Sequence, residues 1–121
     1  MRRTELTIDT EGRRVVDITD DVSAFVGSNE QEEGMLLVFV AHATAGVAIV
    51  ETGAGSERDL EEALERLFPR DDSYSHRHGP RGHGADHIIP AFVSPSVVVP
   101  LAGGRPTLGT WQRIVIVDPN R

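Results

Sequence analysis

The chain contains no cysteine among its 121 residues. That excludes disulfides, a thiolate nucleophile and any zinc or iron–sulfur site built on sulfur, so a metal here must be held by His, Asp, Glu and water. Aromatic side chains are scarce, with four Phe, one Tyr and one Trp spread singly, which argues against a base-stacking platform. Basic charge is short as well. Lys and Arg number 12 against 19 acidic residues, for a net charge of -7, and a nucleic-acid partner would need basic surface to displace counterions. No apolar run approaches the roughly 20 residues of a membrane span. The opening MRRTELTIDTEG lacks the apolar core of a signal peptide,, so cytoplasm is the expected compartment, with neither membrane nor nucleic acid as partner. The motifs H-E-x-x-H, G-x-S-x-G and the P-loop are also absent, which argues against a zincin, a serine hydrolase of the usual pattern and an NTPase.

What the chain does have is a histidine-rich segment. HRHGPRGHGADH (76–87) holds four of the five histidines, with three glycines, a proline and two arginines. Gly and Pro deny it regular backbone and it offers little to bury, while imidazole binds metals and moves protons near neutral pH. It reads as a loop that carries part of a site, or as an exposed loop whose histidines do nothing. His76 and His78 are spaced H-x-H, which places both rings on one face of an extended chain. His83 and His87 are spaced H-x3-H, a ligand pair only on a helix, and Gly82 and Gly84 argue against that helix.

The length suits one domain spanning 1–121. Period-2 alternation in ELTIDT (5–10) and RRVVDIT (13–19) predicts an opening pair of strands. Thr19 is placed to cap a short helix over 19–26, with Val22, Phe25 and Val26 on its apolar face. NEQEEG (29–34) reads as a solvated acidic loop. MLLVFVAH (35–42) is a continuous apolar run that predicts a strand buried on both faces, and GVAIVE (46–51) a further strand. These two end at His42 and Glu51. The clearest element is an amphipathic helix over 56–68, with Leu60, Ala63, Leu64, Leu67 and Phe68 in one stripe. Ser56 and Asp59 resemble a capping box at its start. GAGS (53–56) could bind a phosphate on free N–H groups, but an ordinary turn is the simpler reading. Strands are predicted again over HIIPAFV (87–93), SPSVVVPL (94–101) and LGTWQRIVIVD (108–118), the last buried on both faces. The fold class is therefore α+β: a mixed or largely antiparallel sheet of about six or seven strands with one main helix.

A catalytic zinc commonly takes three protein ligands and leaves a fourth position open. His42, His76 and His87 can supply three from separate strand ends, with Glu51 or Asp86 as fourth ligand, outer partner or general base.

The combination HATAGVAIVE (42–51), Asp59, Tyr74-x-His76, His87, PSVVVPLAGGRPTLGTWQ (95–112) and VVDITDDV (15–22) resembles the YjbQ-like family. The match is ordered and covers nearly the whole chain. The resemblance implies a compact α+β domain that assembles as a homotrimer, a histidine-bearing pocket near a subunit interface, and a bound divalent metal, zinc or magnesium. His42, Glu51, His76, His87, Trp111 and Gln112 sit on the motif; His78 lies outside it. Members of the family often carry the label thiamine-phosphate synthase, a transferase that joins an aminopyrimidine methyl diphosphate to a thiazole phosphate and expels pyrophosphate. For that reaction Arg77 and Arg81 are candidates for diphosphate contact and Trp111 for covering a heterocycle, while His42 and Glu51 would be the catalytic pair. The alternative is a non-catalytic trimeric module that binds a metal or small ligand. Ala43 stands where the family usually has a second Thr, Val50 where it has Asn, and His83 near where it has another Asn. The chain also ends at Arg121, where relatives tend to continue. These departures bear on the substrate more than on the metal.

Overall fold

A computed structural model describes residues 1–28 and 33–120. Most of the acidic loop expected at 29–34 lies outside the described residues. The described strands are β1 (Val15–Asp17), β2 (Gly34–Phe39), β3 (Gly46–Val50), β4 (Ser96–Ala102), β5 (Arg105–Pro106) and β6 (Arg113–Val117). The α-helices are α1 (Thr19–Gly27), α2 (Ser56–Leu67) and α3 (His83–Ile88), and a 3-10 turn, Ile89–Ala91, follows α3. The α+β class therefore holds. The strands form two antiparallel three-stranded sheets, ordered β1-β6-β3 and β2-β4-β5, rather than one larger sheet.

Strand β6 is the axis of the first sheet, and its sequence shows why. Ile114, Val115, Ile116 and Val117 are all buried, as the unbroken apolar run predicts for a strand covered on both faces. Ile114 and Ile116 join a core with Val16, Ile18, Val22, Val26, Leu36, Val47, Val99 and Leu101, so α1 and both sheets share one interior. Val117 instead lines a small cleft together with Leu64, Phe68 and Ile89. The sheets are tied together at the chain leading into β4. Pro95 O accepts from Val40 N at 2.7 Å and Ser94 O from Val47 N at 2.8 Å.

Several local expectations are corrected. Residues 5–10 pair with no strand among the described residues. Ile8 packs against the core, and that one anchor accounts for the alternation. Segment 87–93 is the end of α3 plus the 3-10 turn, because Pro90 sits at the start of the turn, where its missing N–H costs nothing. Thr19 lies inside α1 and does not cap it. Asp17 accepts the Thr19 N–H at 2.9 Å, and the Thr19 hydroxyl accepts the Ile114 N–H at 2.8 Å, which fastens α1 to β6. Burial raises the Asp17 pKa, but the Arg113 guanidinium and Thr19 outweigh it and hold the carboxyl below its ordinary value. Ser56 likewise falls inside α2, whose N-cap is Gly55 at φ 92°. The Glu57 carboxylate reaches back instead to the Gly53 N–H at 2.9 Å.

Strand β2 departs from expectation in a way that matters for assembly. Its inner residue Leu36 is buried, yet Met35, Leu37 and Phe39 are 78%, 63% and 64% exposed. Their register partners on β4 are Pro100, Val98 and Ser96, so the outer face of this sheet is apolar and open. An apolar run reports two faces that avoid water, not whether the second is covered by the same chain.

Candidate metal centre

Three histidines converge. One ligand nitrogen from each of His76, His78 and His87 lies within 4.8 Å of the others, with His76 and His78 exposed and His87 half-buried. The ring of His76 is 4.1 Å, centroid to centroid, from those of both His78 and His87. The first two come from the extended segment after α2 and the third from α3, so the centre depends on how closely that helix approaches the segment. Gly84 sets the approach. A Cβ there would lie 2.7 Å from Tyr74 Cβ and 3.0 Å from His76 O.

The glycines that argued against a helix thus help to build one. Gly82 caps α3 at φ 82°, a left-handed conformation that glycine adopts without steric cost, and Gly84 lets the helix lie against its neighbour. His83 and His87 consequently stand four residues apart on one face of α3, with their Nε2 atoms 3.0 Å apart. This is the helical H-x3-H geometry the sequence disfavoured. Helix α3 is pinned from behind. Asp86 is 1% exposed and pairs through Oδ1 with Arg70, whose Nη1 also donates to Pro119 O at 3.2 Å.

Burial, and then the neighbouring imidazoles of His76, His83 and His78, hold the His87 pKa below its ordinary value near 6.5, against a smaller opposing pull from Asp86. The folded state therefore favours the neutral ring, which is the form that ligates a metal. The stability this contributes is fully present above the unfolded value and is lost as pH falls through the folded one.

Two of the expected site residues do not join the three rings. His42 and Glu51 are exposed and belong to no metal-competent group among the described residues. His42 Nδ1 accepts the Thr44 main-chain N–H at 3.2 Å. Because that N–H can only donate, the neutral ring carries its proton on Nε2. Thr44 Oγ1 also lies 3.0 Å from Nδ1. Thr44 is linked in turn through Asn120 to Asp118, and Thr10 donates to the same carboxylate. Burial pushes the Asp118 pKa up, but hydrogen bonds from Thr10 and Asn120 outweigh it and hold the carboxyl below the usual carboxylate range. Within one chain His42 is thus set up as a donor, and His78 stands where His42 was expected.

Arg77 and Arg81 border the cleft that His76, His78 and His83 also line, which encloses roughly 370 Å³ including its open mouth. Asp72 takes part in holding both, through its carbonyl to Arg77 and its carboxylate to Arg81 at 3.4 Å. Trp111 is 73% exposed, and Gln112 Oε1 accepts the Gly109 N–H at 2.8 Å, closing its own turn. Neither Trp111 nor Gln112 lines this cleft. Sequence reasoning missed Arg70 altogether and set His78 and His83 aside; their signal was the H-x-H and H-x3-H spacing.

The family described as "UPF0047 protein YjbQ-like" matches residues 4–121. A UPF0047 protein of Mycobacterium bovis is 61% identical over 116 residues, covering 96% of this chain and 88% of its own. Among solved structures, a hypothetical protein from Aeropyrum pernix superposes with a TM-score of 0.82 at 30% identity, covering 89% of this chain and 80% of that one. A protein of unknown function from Sulfolobus solfataricus gives a TM-score of 0.83 at 29% identity, covering 88% and 77%. No helix among the described residues is long and apolar enough to cross a membrane.

Proposed function

The chain belongs to the YjbQ-like UPF0047 family, and from that premise we propose that it is a small-molecule enzyme working at a divalent-metal site made by His76, His78 and His87. The observation that carries this reading is the convergence of three imidazole nitrogens within 4.8 Å. The donor set fits a metal. His87 is biased toward its neutral, ligating form, and imidazoles favour zinc and other late first-row ions over magnesium, which prefers oxygen ligands. When bound, such an ion would supply Lewis acidity beside the cleft that His76 and His78 line,. The chain's own contribution is to hold the three rings and to present Arg77 and Arg81 on the cleft border.

Two arginines beside His76 and His78, with Asp71 and Asp72 on the same border, suit a phosphorylated substrate, because guanidinium groups take phosphate oxygens bidentately. Thiamine-phosphate formation is a reaction of this kind: its leaving pyrophosphate would be received by Arg77 and Arg81. His42, carrying its proton on Nε2, and Glu51 would then handle protons, and Trp111 and Gln112 would contact the heterocycle, all four brought to the cleft by a neighbouring copy of the chain. Support for self-association comes from the open apolar face of β2 and β4. A homotrimer would cover that face.

Metal titration tests the site. Zinc affinity in His87→Ala is expected to fall more than about 100-fold, beyond the loss caused by removing an outer-shell partner. An unchanged affinity, or wild-type protein that takes up no divalent ion, sinks the proposal. Assembly is tested separately. Leu37→Glu places a charge on the apolar face, and sedimentation analysis is expected to show trimer converting to monomer with the circular dichroism unchanged; a trimer that persists would move the interface elsewhere. The non-catalytic reading keeps the metal and the trimer and loses the reaction. Restoration of thiamine formation in cells that lack their own synthase separates the two.

A further inference from the structure

We infer that His83 is a fourth imidazole of this centre, aimed at the metal by the buried carboxylate of Asp86. The inference rests on the metal-site reading above and extends it to a residue outside the converging three.

Among the described residues, Asp86 Oδ2 is the one buried side-chain polar atom with no hydrogen-bond partner. Leaving a carboxylate oxygen dry and unpaired is costly, and its partner carboxylate oxygen is already taken by Arg70. The group facing Oδ2 is His83 Nδ1, 3.3 Å away. A modest turn of the ring makes that approach a hydrogen bond, with Nδ1–H donating to Oδ2. The tautomer is then fixed, because a proton on Nδ1 leaves the neutral ring with a lone pair on Nε2.

That lone pair meets His87 Nε2 at 3.0 Å. Two ring nitrogens so close need a proton or a cation to share. Two nitrogens each about 2.0–2.1 Å from one ion lie about 2.9 Å apart at a right angle and about 3.4 Å apart at the tetrahedral angle. The observed separation falls inside that interval. His83 is also only 18% exposed and its ring centroid lies 5.4 Å from that of His78, so it closes the cluster from the His87 side. It is farther from His76, at 6.5 Å, and enters the centre as its outermost member. The arrangement of buried carboxylate, imidazole and metal is the one that orients ligating histidines generally. Arg70 holds the carboxylate in place. With His76, His78 and His87, His83 would bring the imidazoles available to an ion here to four.

The test uses full-length protein loaded with zinc alone. X-ray absorption at the zinc edge is expected to count four imidazoles in the wild type and three, plus an oxygen donor, in His83→Gln. Competition titration should show zinc bound about 10- to 100-fold more weakly by His83→Gln. In Asp86→Asn the imidazole count should likewise fall to three while His76, His78 and His87 still bind, which a general loss of structure would not produce. Should that variant fail to fold, His83→Gln carries the test by itself. Three imidazoles in the wild type, or zinc affinity unchanged in His83→Gln, overturns the fourth ligand and leaves the three-histidine site standing. Wild-type protein that binds no zinc overturns both.

Discussion

Replacing Arg70 with alanine is expected to destabilise the chain by about 3–5 kcal/mol, the cost of removing one partner from a buried ion pair. The loss arises from what remains. Asp86 is 1% exposed, and without Arg70 its charge has neither solvent nor a guanidinium to offset it. His83 faces its other oxygen, but a neutral imidazole supplies one donor and no charge. Arg70 also donates to Pro119 O, so the substitution frees the chain just after β6 as well as the underside of α3. Urea denaturation at neutral pH measures the effect. Replacing both residues with leucine should recover much of the loss, since a dry apolar pair avoids the desolvation cost that the ions incur. A drop below about 1 kcal/mol, the range of exposed pairs, would show that Asp86 reaches water. On the metal-site proposal, the zinc affinity of Arg70→Ala should fall as well, since Arg70 anchors the carboxylate that faces His83.

The second large effect is expected at Gly46, the first residue of β3. Here the backbone runs so close to the chain leading into β4 that a Cβ would lie 2.1 Å from Val93 O and 3.0 Å from Val93 C. Neither is the mobile end of a side chain, so the two strands must separate. Separation breaks the neighbouring bond from Val47 N to Ser94 O, one of the links between the sheets, and strains the pairing of Gly46 with Val117. Gly46→Ala should cost about 3 kcal/mol or more, at or above the upper end of ordinary overpacking. The control is Gly27→Ala at the end of α1, where nothing lies within 4 Å of an added Cβ and φ is not positive. It should be neutral or stabilising by less than about 1 kcal/mol. Equal behaviour of the two variants in thermal denaturation would refute the close approach.

Much of the fold is legible in the residues because it rests on periodicity. The stripe from Leu60 to Phe68 predicts α2, and Ile114 to Val117 predicts a strand covered on both faces, since each pattern fits one backbone geometry. Local reading failed where a residue's role is set by something distant. Thr19 looks like a cap and bonds β6 instead. Met35, Leu37 and Phe39 look like core and lie on an open face. Gly82 and Gly84 look like helix breakers, yet one supplies the left-handed start of α3 and the other its close contact with Tyr74.

The site divides in the same way. By itself the sequence determined which side chains are available to hold a metal: the absence of cysteine leaves imidazole and carboxylate, and four histidines lie between 76 and 87. The chain as a whole carries the family, matched over 4–121. The tertiary structure decided which imidazoles meet. It draws His78 and His87 to His76, brings His83 beside His87, sets Asp86 and Arg70 behind them and leaves His42 among Thr44, Asn120 and Asp118. Spacing along a chain fixes relative direction only within one regular element. His76 and His87 belong to different elements, and the packing of α3 against Tyr74 and His76 closes the distance between them.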